Sequence, residues 1–286
     1  MVDVHCHLNF HSFEKDYDEV IKSAFEAGVT KIINVGTKID SSALAVDLAQ
    51  EYDNLYAIVG IHPHHADKIS QGHPEFISGS RSRNKFGMTG KRIDWIEQLE
   101  TLARMPKVVA IGEIGMDYFL YKSNDIVDPK LQKEVFIKQI ELAHKLKLPL
   151  QIHNRQAGKE ILDILMNHKS YLLNPPGMFH CFAGSIETLR AALEMGFYIG
   201  FDGNITYNGL APGEDTDLKD LVKYTPLDRI VIETDSPFLA PLPHRSSRNV
   251  PSYVIITAKF IAKIKGVTFQ IIEAKTTENA IKLFTL

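Results

Sequence analysis

Two histidines one residue apart, His5 and His7, close the first apolar run of the chain, Val2–Cys6. In an extended strand, side chains i and i+2 point the same way. Both imidazoles therefore face one side and Cys6 the other, and two neutral imidazoles on one face can chelate a divalent cation. Glu113 closes a second apolar run, Val108–Ile111 and Gly112. A carboxylate there is costly unless it is paired with an Arg or an amide, or lies on a cation. His153 ends the run Leu148–His153, His180 lies in Gly177–Phe182, and Asp235 ends Arg229–Asp235. One such histidine is more often a satisfied core residue. Six ligand-type residues at the same end of five runs are not explained that way. Together they supply four nitrogens and two carboxylates, more than a single catalytic zinc usually takes. The set suits two divalent ions (Mg, Mn or Zn) sharing a carboxylate, with a hydroxide held between them.

Other residues stand near these ends. His62, in Gly60-Ile61-His62-Pro63-His64-His65, could bind a phosphate or transfer a proton. Arg155 follows His153 by two residues and could hold a substrate anion, or pair with a barrel carboxylate. Cys6 and Cys181 each flank a ligand-type histidine and are expected on the opposite strand face, packed between strands and helices. Two cysteines make no disulfide framework and suit a reducing compartment.

The elements that must position these groups follow one rhythm. Eight short apolar runs, Val2–Cys6, Lys31–Gly36, Leu55–Ile61, Val108–Glu113, Leu148–His153, Gly177–Phe182, Phe197–Asp202 and Arg229–Asp235, alternate with amphipathic stretches. Uninterrupted β-branched runs read as strands buried on both faces. The stretches near Glu14–Ala27, Ser41–Glu51, Ile93–Met105, Leu131–Leu146, Ala157–Asn167, Ser185–Met195 and Leu218–Lys223 read as helices, with Ser185 as an N-cap. Strand and helix in eight-fold alternation predict an α/β fold, a (β/α)8 TIM barrel. A doubly wound sheet is weakened because no G-x-G-x-x-G or Walker-type loop follows the first strand. Active sites of such barrels lie at the C-terminal ends of the strands, where the six residues fall.

One domain over residues 1–286 is expected, with an inserted loop at about 67–91, rich in Ser, Gly and basic residues. That loop reads as a solvated surface or as a contact for a polyanion. Asn204 to Asp217 reads as a crossover, and Thr268–Phe284 as a helix closing the barrel. With 32 Lys and Arg against 35 Asp and Glu, the charge of −3 gives no global case for nucleic acid. No apolar run reaches the length of a membrane span, and no leader is evident. A cytoplasmic protein with no membrane partner is expected.

The motifs together resemble the TatD-related metal-dependent deoxyribonuclease family of amidohydrolase-like barrels. The resemblance rests on Asp3-Val4-His5-Cys6-His7-Leu8, Gly60-Ile61-His62-Pro63-His64, Ala110-Ile111-Gly112-Glu113-Ile114-Gly115-Met116-Asp117-Tyr118, Phe179-His180-Cys181-Phe182-Ala183-Gly184-Ser185, and the run from Glu233 to Pro241. It covers essentially the whole chain. It implies a DNA substrate attacked from its 3′ end. It implies that His5, His7, Glu113 and Asp235 hold one ion and Glu113, His153 and His180 the second. Arg245 is then a candidate phosphate contact with His62 and Arg155, and Asp235 a ligand and general base. The chain departs from the family where Ser246 follows His244-Arg245, and where Gln156 follows Arg155, leaving that arginine without the family's acidic neighbour. Two other readings stand beside a nuclease: an ester hydrolase, such as an aminoacyl-tRNA deacylase, and a non-enzymatic metal-stabilised binding protein.

Overall fold

The computed structural model describes residues 1–70, 94–121 and 125–286. Eight parallel strands follow one another in sequence order: β1 (Val2–Cys6), β2 (Lys31–Val35), β3 (Leu55–Val59), β4 (Val108–Asp117), β5 (Leu150–Arg155), β6 (Gly177–Phe179), β7 (Tyr198–Phe201) and β8 (Ile230–Ile232). The sheet closes on itself beyond the last strand. Asp235 N–H donates to His5 O at 2.9 Å and His7 N–H to Ser236 O at 2.7 Å. Deeper in, Asp3 accepts from the Thr234 amide at 2.9 Å and from its hydroxyl at 2.7 Å. The architecture is the eight-fold β/α barrel that the alternation predicts.

Helices α1 (Tyr17–Glu26), α2 (Ile39–Glu51), α3 (Ala66–Ser70), α4 (Trp95–Ala103), α5 (Pro129–Leu146), α6 (Gly158–Asn167), α7 (Ile186–Glu194) and α8 (Leu218–Tyr224) form the outer layer. Two more, α9 (Val254–Lys265) and α10 (Phe269–Phe284), follow β8. Capping explains several starts. Asp128 accepts from Lys130 N–H ahead of Pro129 and α5, and Ser185 accepts from Thr188 N–H ahead of α7. Each such cap stabilises its helix by about 1 kcal/mol. Val135, Phe136, Ile140 and Ala143 of α5 are buried at helical spacing. At the far end of the barrel, Ala280, Leu283 and Phe284 of α10 pack with Val2, Ile33, Ile58, Met178 and Val231 from the strands. The C-terminal helix thus closes the end opposite the ligand-type residues. Of the inserted loop expected at 67–91, residues 67–70 lie in α3 and the rest falls outside the described residues, as does His73.

Strand ends differ from expectation in ways that matter for the site. β4 runs four residues past Glu113, to Asp117, so Glu113 is inside a strand rather than at its end. Its pairing with β5 shifts register between Ile111 and Ile114. Gly115 permits this with φ 142°, where any Cβ would strike the His153 carbonyl oxygen. β6 and β8 stop early, at Phe179 and Ile232, so His180 and Asp235 lie just beyond them. The chain leaves both strands through left-handed residues, Cys181 at φ 43° and Asp235 at φ 54°.

Candidate metal centre

The first half of the site comes from β1 and the segment after β8. His5 Nε2 and His7 Nε2 stand 3.0 Å apart. Asp235 Oδ1 is 3.4 Å from each of them. Glu113 Oε2 lies 3.9 Å from His5 Nε2 and 3.8 Å from His7 Nε2. His7 Nδ1 faces the Val35 carbonyl at 2.9 Å, which fixes its proton on Nδ1 and turns the Nε2 lone pair to the site. Burial, with His180 and His7 alongside, holds His5 well below the ordinary histidine value, so it is neutral. Burial also pulls on His7, but the Asp235 carboxylate outweighs it and raises that group.

The second half gathers on the other oxygen of Glu113. Its Oε1 is 2.8 Å from His153 Nδ1, 2.7 Å from His180 Nε2 and 3.4 Å from His62 Nε2. Burial works against the Glu113 charge, yet His180, His62 and His153 together hold the carboxyl well below its ordinary range. Behind His153 stands Asp117. Its Oδ2 is 3.1 Å from His153 Nε2 and 2.9 Å from His64 Nε2, and it accepts from Tyr121 Oη at 3.0 Å. Asp117 therefore accepts a hydrogen bond from His153 Nε2–H and leaves Nδ1 toward Glu113. A carboxylate behind a ligating histidine fixes the ring and its tautomer. Burial opposes the charged state of His153, but Asp117 and Glu113 raise it above its ordinary value.

Helix α5 sets two of these groups in place. Gln132 Oε1 accepts the Asp117 amide at 2.8 Å and its Nε2 donates to the Asp117 carbonyl at 3.0 Å. Gln139, two turns on, makes the same pair of bonds to Ile61, at 2.7 and 3.1 Å. The first fixes the end of β4 and the second the loop that carries His62.

This donor set fits divalent cations. Atoms bound to one ion at ~2.0–2.2 Å are separated by roughly 3.0–3.5 Å, and His5–His7, His5–Asp235 and His7–Asp235 stand at 3.0, 3.4 and 3.4 Å. Among the described residues no Lys or Arg forms an ion pair with Glu113; its partners are histidines. Glu113, His153 and His180 form one candidate metal-binding group, and His5, His7 and Asp235 another. The reading of Glu113 as a carboxylate held by an arginine does not hold.

The remaining candidates sit around this cluster. His62 is 8% exposed, and its Nδ1 accepts the His64 amide at 3.1 Å. Burial lowers its value to about 4, so the ring is neutral with its proton on Nε2, aimed at Glu113. Arg155 lies over the Phe119 ring at 4.8 Å, and that ring packs edge-on to Tyr121. The guanidinium Nε is buried with no hydrogen-bond partner, while the charge of Glu214, in the loop after β7, reaches Arg155. The sequence segment read as a plain crossover therefore supplies a nearby acid. It also lines a groove of about 540 Å³ with Asn154, Gln156, Ser185 and Thr188, over the starts of α6 and α7. Arg245 is exposed and covers the Tyr207 ring at 4.1 Å.

Sequence reasoning gave no role to Asp117 or Tyr121; the signal for Asp117 was a carboxylate at the end of a strand. It also misplaced Cys181. Cys6 is buried between strand and helices, with Sγ 3.6 Å from Ile33 O. Cys181 instead stands beside Asp202 and Asp235 at the barrel mouth. Its left-handed backbone breaks the alternation that put it on the outer face.

A family model described as TatD related DNase matches residues 2–285. The chain belongs to that family. It is similar to the metal-dependent hydrolase YabD of Bacillus subtilis (strain 168), with 40% identity over 100% of this chain and 99% of the relative. It is 32% identical to the 3'-5' ssDNA/RNA exonuclease TatD of Citrobacter rodentium (strain ICC168), over 99% and 97% of the two chains. Among solved structures, the TATD homolog YJJV of Escherichia coli K12 superposes with a TM-score of 0.81 at 27% identity, over 100% of this chain and 98% of that one. Membership in the TatD related DNase family makes this chain a metal-dependent hydrolase. No helix among the described residues is long and apolar enough to cross a membrane.

Proposed function

We propose that the chain is a two-metal phosphodiesterase that removes nucleotides from the 3′ end of DNA. One observation carries the reading: Glu113 directs Oε2 toward His5 and His7, and Oε1 toward His153 and His180. A single buried carboxylate between two histidine pairs suits a bridging ligand. His5, His7, Glu113 and Asp235 would hold one cation, and Glu113, His153 and His180 the other. When bound, such ions acidify a water and neutralise charge on phosphate oxygens.

The chain's own groups do the rest. Asp235, on the rim of the first half, accepts the proton of the attacking water. His62, neutral and with a proton on Nε2, donates to a non-bridging phosphate oxygen. Arg155 and Arg245, each laid on an aromatic ring, hold flanking phosphates. The charge of −3 leaves strand capture to these local groups and the ions. The names of TatD relatives support the substrate class and the polarity.

The test uses the purified chain with Mg²⁺ or Mn²⁺ and single-stranded DNA labelled at its 5′ end, beside RNA and aminoacyl-tRNA. A ladder shortening stepwise from the 3′ end is expected. Release of amino acid from aminoacyl-tRNA with both oligonucleotides left intact would replace the reading by a deacylase.

A further inference from the structure

Among the described residues, Tyr171, Tyr224 and Phe238 are the aromatic side chains with large exposed faces. They differ in what covers them. His144 packs edge-on to Tyr171 at 5.1 Å, and Arg190 lies over Tyr224 at 5.0 Å. Phe238 is 51% exposed, and its ring neighbours stand at the barrel mouth: Phe10 at 6.1 Å and His7 at 6.3 Å, both near edge-on. Phe10 in turn lies flat on His7, with ring centroids 4.3 Å apart and 16° between the planes. The two phenyl rings meet at 76° and so make two walls of a corner beside a histidine of the candidate metal centre. A single exposed phenylalanine is ordinary, but this one is held open by its backbone. Its N–H donates to Asp235 O at 2.9 Å, and its carbonyl accepts from Asn249 Nδ2 at 2.6 Å. The buried Asn249 also donates to Thr234 O at 2.7 Å. Asn9 Nδ2 ties the turn before Phe10 to Val35 O and Ser41 O, at 3.1 and 2.8 Å. The rings across the mouth are already engaged: Arg155 lies over Phe119, and Tyr121 Oη donates to Asp117.

We propose that Phe10 and Phe238 form a stacking platform for a nucleobase, that of a nucleotide flanking the phosphodiester at the candidate metal centre. This rests on the nuclease reading and adds the part of the substrate that the ions do not touch. A nucleotide carries a flat, uncharged ring system one sugar away from an anionic phosphate. The site repeats that order, with metal-type donors at His7 and Asp235 and a free aromatic face three residues beyond Asp235. A base entering the corner meets the rings in the offset or edge-to-face contacts that aromatic groups prefer. Stacking on a phenyl ring is open to every base, because each has a π-face. The platform therefore distinguishes a base from no base, and not one base from another. A base lodged there has left its neighbours in the strand, which costs least when the DNA is single-stranded.

The test changes substrate and protein together. Single-stranded oligonucleotides carry 2-aminopurine, or an abasic residue, at either of the last two positions of the 3′ end, and Ca²⁺ suppresses cleavage while binding is measured. Binding to the full chain should brighten 2-aminopurine at one of those positions, because the base exchanges its neighbours in the strand for a phenyl ring. Phe238→Trp should keep the affinity and darken that same probe, since indole quenches 2-aminopurine on contact. Phe238→Ala should weaken binding at least about fivefold, the lower share of one stacked base. With Mn²⁺, the unaltered chain should cut the base-bearing strand at least about fivefold faster than the strand abasic at that position, and Phe238→Ala should erase this ratio. Circular dichroism and metal counts on both variants separate loss of stacking from loss of fold or of ions. Equal use of base-bearing and abasic strands by the unaltered chain overturns the platform and leaves the nuclease reading standing. So does a probe that stays bright in Phe238→Trp. A chain that neither binds nor shortens either strand overturns the nuclease reading, and the platform with it.

Discussion

The two halves of the centre are held by different means. On the β1 side, His5 and His7 are two residues apart, and the backbone orients them. Val35 O accepts a hydrogen bond from His7 Nδ1–H at 2.9 Å, and Asp235 N–H donates to His5 O at 2.9 Å. On the β4–β6 side, Glu113, His153 and His180 come from three strands, and side chains orient them: Asp117 behind His153, braced by His64, Tyr121 and Gln132. Backbone partners cannot be removed by substitution, whereas side-chain partners can. The first half is therefore the rigid one and the second the tunable one.

Glu113→Gln strikes both halves together. It should lower hydrolysis by more than about 10³-fold, beyond the ~10–100-fold that loss of an outer partner costs. Single-turnover rates at saturating Mn²⁺ measure it. A fall below tenfold would mean that the halves do not share this carboxylate.

Asp117→Asn separates the halves. Affinity for one of the two ions should fall ~10–100-fold, with the other little changed; calorimetric titration with Mn²⁺ reads both. The pH dependence sharpens this. Asp117 and Glu113 raise His153 above its ordinary value, so its proton must be expelled before Nδ1 can bind an ion. Affinity at this half should keep rising with pH through neutrality and fall as pH drops. In the other half His5, held low by burial, has no proton to give near neutral pH, and only His7, raised by Asp235, shares this dependence. Asp117→Asn should move the proton release to lower pH. Equal weakening of both ions would erase the contrast.

The smallest effect concerns the rim. Arg245→Ala should flatten the dependence of log affinity on log salt by about 0.7, the share of one single-strand phosphate. Fluorescence anisotropy with a labelled oligonucleotide, in Ca²⁺ to suppress cleavage, measures the slope.

Much of the candidate centre was legible because its donor residues are local facts. His-x-His needs only the two-residue strand period, and an unpaired glutamate after Val108–Ile111 is anomalous in any buried strand. The helix pattern placed α5 within two residues at its start, and Trp95, in the stretch Ile93–Met105 read as a helix, packs half-buried against the core. Arg155 was placed beside the site, but its acidic neighbour Glu214 was not foreseen, because it lies 59 positions away along the chain.

What the sequence by itself determined is the alternation of eight strands with helices, and which residues offer metal-type donors at the strand ends. Hydrophobic periodicity and ligand chemistry act within a few residues, so a linear reading captures them. Only the tertiary structure decided which nitrogen of His7 and of His153 faces inward, because the partner of the other nitrogen comes from elsewhere: Val35 for His7 and Asp117 for His153. It also decided the sides of Cys181 and Asp235. A left-handed residue reverses the strand alternation, and whether a non-glycine residue accepts that cost of about 1–2 kcal/mol depends on the surrounding packing.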